Sequence, residues 1–113
     1  VIRVTIHRNK HDRSIDSFTV EGHADYAEHG KDIVCAGVTA VTFGTVNAAE
    51  AVVGAHLDVT MADDGGYLRV QVPIQLEAEM RMKVQLQLES MVVMLESIRE
   101  SYGSYMKIQQ KDS

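Results

Sequence analysis

The apolar positions of the chain change period several times, and the changes mark out its elements. Residues 1–7 alternate between apolar and polar, with Val1, Ile2, Val4 and Ile6 as the apolar positions, which predicts a strand. Asn9-Lys10-His11-Asp12 is polar turn chemistry. Alternation resumes from Ile15 to Val20, so residues 1–22 predict a β-hairpin ended by Gly22. Residues 23–31 show no clean period and predict a loop. From about Asp32 the spacing becomes helical: Val34, Val38, Val41, Thr45, Ala49 and Val52 recur at three and four residues. Gly54 is the expected stop.

A strand is expected over roughly 56–61, followed by the turn Asp63-Asp64-Gly65-Gly66 and a return strand from Tyr67 to Val72. The second helix is expected from Glu77 to Tyr102, with Val84, Leu88, Met91, Val92, Leu95, Ile98 and Tyr102 as its apolar stripe. Gly103 stops it, Tyr105 to Ile108 predicts a short last strand, and the polar tail 109–113 is expected to fray. The order β-β-α-β-β-α-β predicts an α+β fold, a mixed or antiparallel sheet packed with two long helices, in one domain spanning 1–113.

Composition narrows the partners. Eleven basic against sixteen acidic side chains leave a formal net charge of −5. A free-standing nucleic-acid binder usually carries a basic face, so no direct nucleic-acid contact is expected. The acidic balance favours a basic peptide partner instead. No apolar run reaches the 18 or so residues of a membrane span, so no membrane partner is expected. The single cysteine leaves no intramolecular disulfide and points to a reducing, cytoplasmic setting.

The chemistry concentrates between Glu21 and Ala40. His23 falls at a strand end, and the only cysteine, Cys35, falls in the first turn of the first helix. A cysteine attacks as thiolate, and a helix N-terminus, with its partial positive charge and unpaired N–H groups, favours that form. A neighbouring imidazole completes the Cys–His logic of thiol proteases. N–H groups near Cys35 and Ala36 are the expected oxyanion donors. Taken alone, a cysteine on an apolar helix is more often a small buried hydrophobe, and a histidine at a strand end is more often structural. Asp32 has two readings of equal weight: an N-cap for the helix, or an orienting partner for the His23 imidazole.

The segment Gly22-His23-Ala24, then Gly30-Lys31-Asp32-Ile33-Val34-Cys35-Ala36-Gly37-Val38-Thr39, closely resembles the signature of the bacterial ribosomal-processing cysteine proteases, the Prp family. The resemblance extends over most of the chain. It implies an endopeptidase that removes a short N-terminal extension, with an apolar, Phe-rich cleavage motif, from the twenty-seventh large-subunit ribosomal protein. It also implies a homodimer of mixed α/β fold in which His23 and Cys35 match the catalytic dyad. Thr39 stands where the family commonly has Ser and keeps the hydroxyl; Gly37 stands where a small residue such as Ala or Ser is usual. Substrate contacts are expected from Gly22, Ala24, Tyr26, Gly30, Ala36 and Thr39, with Tyr26 as an aromatic wall and 24–31 as a lid.

Two rival functions use the same residues. One is a ribosome-assembly factor that binds the extension peptide without cutting it. The other is a thiol redox sensor, which the lack of a resolving cysteine disfavours. His7, His11, His29 and His56 have no ligand-like spacing with Cys35, so neither metal nor cofactor is expected. Met80, Met82, Met91, Met94 and Met106 are expected as core or dimer-interface filler. Asp63-Asp64-Gly65-Gly66 lacks the spaced ligands of a calcium loop and is expected to be simply a turn.

Overall fold

Strand alternation sorts the first hairpin into two faces. Ile2, Val4 and Ile6 of β1 (Ile2–Arg8) point to the same side as Phe18 and Val20 of β2 (Ile15–Glu21), because Val4 pairs with Val20 and Ile6 with Phe18. Ile2, Val4, Ile6 and Phe18 are each at most 3% exposed. The computed structural model describes residues 1–28 and 31–113. The remaining strands are β3 (Asp58–Met61), β4 (Tyr67–Gln71) and β5 (Met106–Asp112), in the sheet order β3-β4-β2-β1-β5.

The sheet is mixed: β1 pairs antiparallel with β2 but parallel with β5. A parallel neighbour needs a crossover. Helix α2 (Ala78–Tyr102) supplies it, lying between β4 and the far edge strand. The frayed tail expected over 109–113 is therefore corrected. Gln109, Gln110, Lys111 and Asp112 continue β5 beside Thr5, Ile6, His7 and Arg8. Edge pairing uses main-chain groups, so a polar sequence suffices.

Helix α1 (Ile33–Ala48) buries Val34, Val38, Thr42 and Thr45. Thr42 is 1% exposed, and its hydroxyl donates to the Val38 carbonyl at 2.8 Å, which satisfies the buried oxygen. A five-residue π turn, Ala49–Val53, continues the helix to Gly54 at φ 79°. That wider turn shifts the phase of the stripe. Ala49 stays buried, while Val52, expected on the core face, is 79% exposed. The stretch Ile33–Val53 is long and apolar enough to cross a membrane by length and composition alone. Within it Val34, Val38, Thr42, Thr45 and Ala49 are the buried positions.

The α2 stripe falls as expected. Val84, Leu88, Met91, Val92 and Leu95 are buried, with Ile98 and Tyr102 packed partly against them. Arg8 fastens α2 to the sheet: its guanidinium makes paired bonds to Glu89 at 2.6 and 2.7 Å, and its Nε donates to Gln110 at 2.6 Å. The methionines divide. Met91 and Met106 are core, whereas Met82 and Met94 are exposed.

Candidate active site

Asp32 is the N-cap of α1, in extended backbone at φ −86° and ψ 108°. One carboxylate oxygen accepts from the N–H groups of Val34 at 2.9 Å and Cys35 at 3.0 Å. The other accepts from Tyr26 at 2.9 Å and Ala27 at 3.2 Å. One side chain thus closes the helix start and ties the preceding loop to it. Burial works against its charge, but the bonds from Cys35, Ala27, Tyr26 and Val34 together outweigh it, and the carboxyl is held below its ordinary 3.8. Of the two readings of Asp32, the cap is the one its hydrogen bonds carry.

This cap also engages the N–H groups expected as oxyanion donors. The Cys35 N–H donates to the Asp32 carboxylate, and the Ala36 N–H donates to the Asp32 carbonyl at 3.0 Å. Both are spoken for by the cap. The N–H that meets the cysteine sulfur is that of Ala24, at 3.4 Å from Sγ.

Cys35 is half-buried and opens on a cleft of about 570 Å³. His23, from the end of β2, and Asp32 line the same cleft, with Gly22, Ala36 and Thr39. Its apolar floor includes Val20, Leu68 and Phe43. Chemically, the arrangement offers a thiol at a helix start, an imidazole and an apolar floor for a peptide.

One expected substrate contact sits elsewhere. The Tyr26 ring packs edge-on against Tyr102 and Tyr105, with ring centres 5.6 and 5.1 Å away, instead of walling the cleft. These partners tie it to the end of α2 and the start of β5. Ala24 is 2% exposed and meets Cys35 through its main-chain N–H. Gly30 and His29 lie outside the described residues. Among the described residues no three His, Cys, Asp or Glu side chains gather as a metal site.

Sequence reasoning missed one wall. Asp64 and Gly65 of the β3–β4 turn line the cleft. A β-carbon at Gly66 would stand 3.6 Å from His23 Nε2, and the Gly66 carbonyl accepts from the Gly22 N–H at 3.0 Å. The turn motif was visible in the sequence; its contact with His23 is tertiary, and no local period announces it.

The comparisons agree with this geometry. The family model described as Cysteine protease Prp matches residues 1–107. The ribosomal processing cysteine protease Prp of Bacillus subtilis (strain 168) is 45% identical over 108 residues, covering 96% of each chain. The fold superposes on the S. aureus ribosomal processing protease Prp in complex with a covalently linked product peptide. There the TM-score is 0.87 at 34% identity, covering 98% of this chain and 100% of that one. With the same protease bound to a substrate peptide the TM-score is 0.82 at 32% identity, with the same coverage. The chain belongs to the Prp family of ribosomal processing cysteine proteases.

Proposed function

We propose that Cys35 is the nucleophile and His23 the general base, and that the substrate is the N-terminal extension of the twenty-seventh large-subunit ribosomal protein. The observation that carries this reading is the shared cleft: Cys35 at a capped helix start and His23 at a strand end line one opening with an apolar floor. Such a floor suits an apolar, Phe-rich segment. The solved relatives hold a substrate peptide and a covalently linked product peptide.

In this mechanism His23 takes the Cys35 proton as the sulfur attacks the scissile carbonyl. It returns that proton to the leaving amine, giving an acyl-enzyme. Water, deprotonated by His23, then attacks the thioester; the carbon–sulfur bond breaks, the extension leaves as a carboxylic acid, and His23 returns the proton to the Cys35 sulfur. Asp32 positions the helix start and takes no proton.

We further place the 113-residue protease domain in the cytoplasm, as a homodimer that contacts peptide rather than nucleic acid. The exposed Met82, Leu86, Val93 and Met94 on α2 support an association face. The test is to incubate the protein with the extended ribosomal protein and weigh the product. A product shortened by the extension is expected. With His23→Ala, kcat/KM is expected to fall by about 10²–10⁴ while the fold holds. An uncut substrate that still binds the wild type would favour the non-catalytic assembly factor.

A further inference from the structure

We infer that the main-chain N–H of Ala24 is a catalytic hydrogen-bond donor, holding the Cys35 sulfur before attack and the oxyanion after it. The inference rests on Cys35 being the nucleophile. Three observations lead to it. The donors expected from the helix start are engaged: Cys35 N–H on the Asp32 carboxylate, Ala36 N–H on the Asp32 carbonyl. The Ala24 N–H donates to Sγ, at 3.4 Å. Its direction is built into the backbone around it.

That last point is a matter of local geometry. Gly22 lies at φ +83°, and a β-carbon there would come 2.6 Å from the Val1 carbonyl oxygen, so the position admits only glycine without a shift. The Gly22 N–H is fixed on the Gly66 carbonyl. Asp25 turns the chain again, at φ 58°. Between the two turns the chain presents the His23 ring to the cleft and buries Ala24 against the cysteine. One short segment therefore supplies the base and a donor together.

The charge that develops in the step is what such a donor stabilises. The sulfur–carbon bond forms, the carbonyl π pair moves to oxygen, and the thiol proton goes to His23. Negative charge leaves sulfur for an oxygen on the carbon now bound to it. A donor already on the sulfur is adjacent to that oxygen and exchanges one partner for the other, without giving up its own proton. Because the main chain is held on both sides, little reorganisation accompanies the exchange.

A side-chain substitution cannot remove this group, but an ester can. A synthetic thioester peptide covering residues 1–34, with lactic acid at position 24, is ligated to residues 35–113 through the N-terminal Cys35 and the full chain refolded. The probe is a peptide spanning the ribosomal extension and the first mature residues. Relative to the all-amide chain made in the same way, kcat is expected to fall on the order of 10²-fold with KM unchanged. Equal kcat in ester and amide chains, with Cys35→Ala inactive, overturns the donor role alone. Cleavage by Cys35→Ala overturns the nucleophile reading as well. If the ester chain does not fold, the amide proton of Ala24 is followed by NMR in the native protein. It is expected to shift with thiol ionisation and to lose that shift in Cys35→Ser; an amide that ignores the ionisation overturns the inference.

Discussion

The two helices begin in opposite ways. Helix α1 starts on Asp32, whose carboxylate takes two N–H groups of the helix and two of the preceding loop. Helix α2 starts on Glu77, which makes no side-chain cap bond. Yet α2 is the longer, at 25 residues against 16. Its hold comes from the middle: five buried side chains and the Arg8–Glu89 pair. The contrast separates two jobs. A helix held by its body can leave its start loose, whereas a helix that presents a reactive side chain in its first turn needs that turn fixed. The cap that fixes it also consumes the N–H groups a bare helix start would have offered.

The largest stability effect is expected in the body of α2. Leu95 is fully buried, and Leu95→Ala is expected to cost about 2–5 kcal/mol by denaturant titration. Asp32→Ala comes next and should differ in kind, lowering stability and activity together. A fall on the order of 5 °C in melting temperature and about 10- to 100-fold in kcat/KM through misplacement of Cys35 is expected. A drop in stability with full activity would show that the cap does not position the nucleophile.

Acid should expose the same difference between the starts. The Asp32 carboxyl is held below its ordinary 3.8, so its contribution is present above that value and is lost as pH falls through the lower folded value. Glu89, lowered first by its hydrogen bond from Arg8, follows the same sign from an ordinary 4.5. Stability measured against pH should therefore decline below about 4, and Asp32→Asn should flatten part of that decline. An unchanged slope in Asp32→Asn would mean the carboxylate is not the group being titrated. The smallest effect is expected at the other start. Glu77→Ala should change stability by no more than about 0.5 kcal/mol, and a larger loss would put a hidden cap there.

The element order, the α2 stripe and the Gly54 stop were legible because each depends on near neighbours in the chain, while the Asp32 cap was legible only as one of two equal readings. The phase shift that exposes Val52 was not, since a π turn carries no distinct residue pattern. Nor was the pairing of 109–112 with β1, which rests on main-chain bonds that polar residues make as well as apolar ones. In the site, the family signature brought His23, Asp32 and Cys35 to notice. The edge-on ring contacts that hold Tyr26 away, the β3–β4 turn beside His23 and the Ala24 contact with sulfur all join residues from separate parts of the fold. A single sequence pattern does not encode them.

The central claim is that the thiol at the capped helix start does the cutting. Its most direct test is the rate at which Cys35→Ala cleaves the ribosomal extension peptide, measured on protein whose melting temperature matches wild type. No cleavage above background is predicted. Cleavage at the wild-type rate would contradict the account.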